Sequence, residues 1–157
     1  MKIGFIVLFL LIILSCKNNQ RHPQGEWIKG SEEEKIKTIE KHFRGLDIAM
    51  IEVDYRYQEL FWAGKDNNWD YANYQLDKIK LTIENALQRR PKRANSAEIF
   101  LKTVLPEMKK SLETKDSILF NENFTVLTAG CNSCHIKEKL SFFTVKPPTQ
   151  RFSSIRK

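Results

Sequence analysis

Leu127-Thr128-Ala129-Gly130-Cys131-Asn132-Ser133-Cys134-His135 closes an apolar stripe that begins at Phe120 and passes through Phe124. Spacings of three and four put Phe120, Phe124, Leu127, Cys131 and Cys134 along one face of a helix. The two thiols therefore continue a seam that faces a core. A C-x-x-C pair followed by histidine also has the spacing for covalent haem. Each thiol adds to one vinyl group, and the adjoining imidazole is aimed at the iron. Half a zinc site and a thiol redox motif are the other readings of such a pair. A structural zinc site needs four ligands, and beyond this motif the only cysteine is Cys16. A thioredoxin-like motif would sit beside a βαβ pattern, and none surrounds the pair. The expected cofactor is one haem c, attached through Cys131 and Cys134, with His135 as the proximal iron ligand.

Upstream of this helix, which Asp116 or Ser117 is placed to cap, the chain reads as further amphipathic helices. A short helix over Ala97–Val104 precedes one that starts at or just before Pro106 and carries Leu105, Met108 and Leu112 on its apolar face. Trp69, Ala72, Leu76, Ile79, Ile83 and Ala86 predict another helix, which stops before Pro91 and is capped by Asn67 or Asn68. Ser31-Glu32-Glu33-Glu34 is a capping box, and behind it Ile36, Ile39, Phe43, Leu46, Met50, Val53, Tyr57 and Leu60 predict one long helix from Glu32 to Trp62. No stretch alternates with period two. Short connections make consecutive helices neighbours, so the expected fold is all-α: an antiparallel up-down-up-down four-helix bundle over residues 31–140. Residues 141–157 form an extended tail. Phe142, Phe143 and Val145 are expected to fold back from it onto haem or helix ends.

The N-terminus predicts export. Ile3 to Leu14 is an unbroken apolar run behind Lys2. As a helix it would reach about 18 Å, short of a bilayer core of about 30 Å. Residues 1–15 are therefore expected to be a signal peptide. Ile13-Leu14-Ser15-Cys16 resembles a lipobox, which makes Cys16 the expected lipidation site and residues 16–30 a lipidated N-terminus and flexible tether. The alternative is an ordinary signal peptide with a chance cysteine. The expected location is the periplasmic side of a bacterial membrane, held there by the lipid anchor. The formal charge of the chain is +7, of which only Lys2 leaves with the signal. Such a balance suits anionic lipid or acidic redox partner proteins. The densest basic cluster, Arg89-Arg90-Pro91-Lys92-Arg93, falls at a helix end, and no nucleic-acid partner is expected.

Three stretches together resemble a known family. They are Glu59-Leu60-Phe61-Trp62-Ala63-Gly64, Asn68-Trp69-Asp70-Tyr71-Ala72-Asn73-Tyr74, and the run from Leu127 to His135. With the motif near the C-terminus, they resemble the class II c-type cytochromes, of the cytochrome c′ and c556 kind. The resemblance covers residues 35–152. It implies a four-helix bundle with haem on the last helix, service in electron transfer or gas binding, and in related bundles pairing into a homodimer. No catalytic role is expected, because no distal acid–base pair accompanies the motif.

The sixth iron position separates these functions. A thioether opposite histidine suits electron transfer, whereas an open position admits nitric oxide or carbon monoxide. Counting along the predicted bundle places the facing residue within about 40–52. Met50 lies on the apolar stripe there and is the candidate sixth ligand; its alternative role is a core methionine packed on the porphyrin. His42, one residue off the stripe, is a further candidate. The expected function is an exported, membrane-tethered monohaem one-electron carrier. The alternatives are a five-coordinate gas binder and a haem-bearing subunit of a larger redox assembly.

Overall fold

The structure, a computed structural model, describes residue 23 and residues 25–155. Cys16, the signal peptide and most of the tether lie outside the described residues. Those described are helical without a strand, and none of their helices is long and apolar enough to cross a membrane. The chain divides into two compact units, Met1–Phe43 and Arg44–Lys157.

In the first unit, α1 (Glu32–Phe43) begins with the expected capping box. The Ser31 N–H donates to Glu34 Oε2 at 2.7 Å, and the Glu34 N–H returns to Ser31 Oγ at 3.3 Å. Two orphan donors of the first turn are thereby satisfied. Lys35 is the buried residue of this helix, with its Nζ donating to the Pro23 carbonyl (2.7 Å) and Glu32 (2.9 Å). Ile36, Ile39 and Phe43, expected on a core face, are exposed.

The long helix predicted from Glu32 to Trp62 does not form as one piece. It stops at Phe43, and α2 (Leu46–Lys65) opens the second unit. Arg44 adopts a left-handed φ of 56°, which ends helical propagation. Asp47 stabilises the restart by accepting the Gly45 N–H at 3.1 Å and pairing with Arg44. Gly45 is buried, and a Cβ there would stand 2.9 Å from Arg90 Nε, so glycine permits the close approach.

After a three-residue turn comes α3 (Trp69–Arg89). Asn67 takes φ 53° and the Asn68 N–H bonds back to the Ala63 carbonyl at 2.8 Å, while Asn68 Oδ1 accepts the Tyr71 N–H at 3.4 Å. Among the described residues, α2 and α3 form the most extensive helix–helix contact. Ala72, Leu76, Ile79, Ile83 and Ala86 are buried as the stripe predicts, with Val53, Tyr57 and Leu60 from α2. Two polar links join these helices: Arg56 donates to Gln75 at 3.3 Å, and Tyr71 Oη donates to Glu59 at 2.7 Å.

A 3-10 turn at Pro91–Arg93 leads into α4 (Ala94–Ile99). No break follows. The chain widens into a π-helical stretch, Phe100–Val104, and continues directly as α5 (Leu105–Thr114). The two separate helices expected around Pro106 are thus one rod. Proline clashes with the carbonyl four residues back and brings no N–H, and a widened turn before it relieves both problems. Lys115, at φ 56°, ends the rod. Asp116 then caps α6 (Ser117–Lys137), its carboxylate accepting the N–H groups of Ile118 (2.7 Å) and Leu119 (3.1 Å). Phe120, Phe124 and Leu127 are buried with Leu105, Met108 and Leu112. Burial of each such side chain contributes about 1.5–3 kcal/mol.

Beyond residue 143 the tail has no helix or strand among its described residues. Val145 packs against the core, as expected. Phe142 and Phe143 do not: they are 72% and 58% exposed, because the turn at 141–143 directs the backbone, not the rings, toward α6.

Candidate functional site

The last two turns of α6 carry Cys131, Cys134 and His135. Cys131 and Cys134 are free, partly buried thiols that pack against the hydrophobic core. Burial, with Cys134 adding to it, pushes the Cys131 thiol up to about 12. Burial also raises the Cys134 thiol, against the pull of Lys137 and Arg93. Both sulfurs are therefore uncharged at neutral pH. A C-x-x-C redox motif depends on the opposite, a lowered thiol pKa.

The backbone leading into the motif is tightly covered. A Cβ at Gly130 would lie 3.0 Å from Phe100 and 3.1 Å from Val104, so the π-helical stretch rests on α6 one residue before Cys131. At the other side Arg93 pairs with Glu138. One turn before Cys131, Thr128 meets Tyr57 of α2 through a buried hydroxyl pair at 2.7 Å, and Thr128 in turn donates to the Phe124 carbonyl at 2.8 Å. Burial pushes the Tyr57 phenol up to about 12; the Thr128 bond opposes this and Cys131 adds to it.

His135 has one ring contact that decides its chemistry. Its Nδ1 lies 2.6 Å from the Phe143 carbonyl. A carbonyl only accepts, so Nδ1 carries a proton, and in the neutral ring the lone pair is left on Nε2. Metal-binding histidines characteristically donate their second nitrogen in this way. Among the described residues, no three or more His, Cys, Asp or Glu side chains gather into a group that could hold a metal ion. The thiols and imidazole of the motif accordingly do not converge on one point, as the ligands of a zinc ion must.

Met50 is half-buried in α2 and, like the thiols, packs against the core. His42 lies on α1 in the other unit, exposed, with its ring 4.7 Å from Trp27. The break at Arg44-Gly45 takes it off the helix that carries Met50. Met108 is a core residue, with Ser111 Oγ 3.8 Å from its sulfur.

Two contacts of the site carry no local sequence signal. Asn132, between the two cysteines, binds Val145 twice: its Oδ1 accepts the Val145 N–H at 2.8 Å and its Nδ2 donates to the Val145 carbonyl at 3.0 Å. Further along the tail, Arg151 clasps Asp66 at 2.7 and 2.8 Å. No family model, curated protein or solved structure matches this chain.

Proposed function

We propose that this chain is an exported, membrane-tethered monohaem c-type cytochrome of the class II kind that serves as a one-electron carrier. The observation that carries the reading is the His135 ring, fixed through Nδ1 to the Phe143 carbonyl beside two uncharged thiols on the same helix. Cys131 and Cys134 would hold the haem as thioethers, and His135 Nε2 would bind its iron. A haem so held supplies a reversible one-electron change at the iron. Phe143 keeps the imidazole in one tautomer, and Tyr57, Leu127 and Phe124 exclude water from the core beside it.

We also propose the antiparallel four-helix topology and Met50 as the sixth ligand. Tyr57 pairs with Thr128, and Lys65 pairs with Asn121 at 2.7 Å, so the pairing steps in opposite directions along α2 and α6. Two turns further in the same direction, Met50 comes level with His135. In this reading Cys16 carries the lipid, and the basic surface meets acidic redox proteins at the periplasmic side of the membrane.

The test is to export the chain in a host that attaches haem c and analyse the product. The expected product has haem on the Cys131–Cys134 peptide by mass, lost in Cys131→Ser/Cys134→Ser, and a low-spin ferric spectrum that becomes high-spin in Met50→Ala. Exported protein with both thiols free would end the haem reading. A high-spin ferric wild type at neutral pH would remove Met50 and favour gas binding instead.

A further inference from the structure

The tail is tied down at three places, and the ties run from His135 to the opposite part of the second unit. Nearest the motif, the Phe143 carbonyl holds His135 Nδ1. Two residues on, Asn132 grips both backbone groups of Val145. A side-chain amide here imitates the pairing of a neighbouring strand, satisfying both the N–H and the C=O of an isolated extended residue. The far tie is Arg151. Its guanidinium makes a two-pronged bond to Asp66 (2.7 and 2.8 Å), donates to the Trp62 carbonyl at 3.2 Å, and lies 4.7 Å from the Trp62 ring centroid. Forked pairing of this kind is stronger and more directional than a surface ion pair, and the Arg151 side chain is only 15% exposed. Ser153 adds a bond to the buried Glu59 at 3.1 Å.

We propose that Asn132 and Arg151 are positioning residues for His135: Asn132 fixes Val145 two residues past Phe143, Arg151 anchors the chain beyond that grip, and with the turn at 140–143 on the other side they hold the Phe143 carbonyl where it selects the imidazole tautomer with a free Nε2. The exposed Phe143 ring gives no packing anchor, and on the motif side the residue is held only through its N–H, which bonds to the Leu140 carbonyl at 2.9 Å, so the direction of its carbonyl depends on how the chain is held beyond it. Asn132, the first of the two residues between the cysteines, thus has a task of its own, gripping the strap that orients His135. The consequence for an iron ligand rests on the haem reading above; the positioning of the ring does not.

The test uses the full chain and two readouts independent of haem. Hydrogen exchange at the Val145 amide should rise about tenfold or more in Asn132→Ala. Nitrogen-15 spectra at pH 8 should show His135 as the Nδ1–H tautomer in the wild type and as a mixture in both Asn132→Ala and Arg151→Met, with Arg151→Lys intermediate. In haem-loaded protein the same variants should raise the midpoint potential, because a less electron-rich imidazole favours ferrous iron less weakly. Faster exchange with an unchanged tautomer would reduce the tail to packing and overturn the proposal, and an unchanged tautomer in Arg151→Met alone would remove the far tie from it. A wild type without covalent haem would defeat the proposed function, leaving the strap to be judged by exchange and tautomer.

Discussion

Gly64→Ala sets two known effects against each other, and the structure decides the sign. In the interior of a helix, alanine is better than glycine by about 1 kcal/mol, so α2 on its own would gain. Gly64 is buried against the ring of Phe120, and a Cβ there falls far inside contact with Cζ, Cε1 and Cε2 of that ring. Phe120 is 0% exposed, with Trp69 6.0 Å and Phe124 5.7 Å away between ring centroids. The ring has no empty direction in which to yield. Overpacking of this kind costs about 1–3 kcal/mol, and with a rigid aromatic neighbour the upper part of that range applies. The net expectation is a loss of about 1–2 kcal/mol, or a melting point lower by about 4–8 °C for a unit of this size. Urea unfolding followed by helical circular dichroism measures it. Gly64→Ala added to Phe120→Leu should instead be neutral or stabilising, since leucine leaves room for the methyl. A single Gly64→Ala variant that gained about 1 kcal/mol would refute the contact between α2 and α6 on which this part of the core depends.

Alkaline titration should expose the Tyr57 hydroxyl. Its folded value of about 12 lies above the ordinary 10, so the unfolded chain releases the proton first. Stability should be intact below pH 10 and decline as pH rises from about 10 through about 12, a dependence that Tyr57→Phe weakens. In haem-free protein Cys131, also raised to about 12 from an ordinary 9, should extend the decline to begin near pH 9. Asp116→Ala removes the acceptor of two N–H groups at the start of α6 and should cost about 1 kcal/mol in urea unfolding, with Asp116→Asn retaining most of it. Asp66→Asn should weaken the clasp on Arg151 and make cleavage of the tail by trypsin faster, without altering the helical content.

The caps of α1, α3 and α6 were legible because each depends on residues within three positions: Ser31 with Glu34, Asn68 with Tyr71, and Asp116 with Leu119. The stripes of α2, α3 and α6 were legible for the same reason, since helical period alone sorts Val53, Leu76 and Phe124 inward. Period could not reveal the break at Arg44. Ile39, Phe43, Leu46 and Met50 keep helical spacing straight across it, while the interruption comes from a left-handed arginine and the grip of Asp47 on Gly45. Nor could it show that Ile36 and Phe43 stay exposed while Lys35 is buried. That outcome depends on which surface a helix meets, and the Pro23 carbonyl that Lys35 reaches is twelve residues away.

By itself, then, the order of residues determined the helical class, most helix ends, the inward face of α6, and the thiol–thiol–imidazole run at 131–135. These follow from backbone hydrogen bonding and a period of 3.6, which act over a few residues. Only the tertiary structure decided what surrounds that run. The uncharged state of its thiols comes from burial against a core drawn from several helices, the grip of Asn132 on Val145 and the tautomer of His135 come from groups 13 and 8 residues distant, and the far clasp of Arg151 on Asp66 spans 85. Burial and hydrogen-bond direction are properties of neighbours in space, and a linear pattern carries neither.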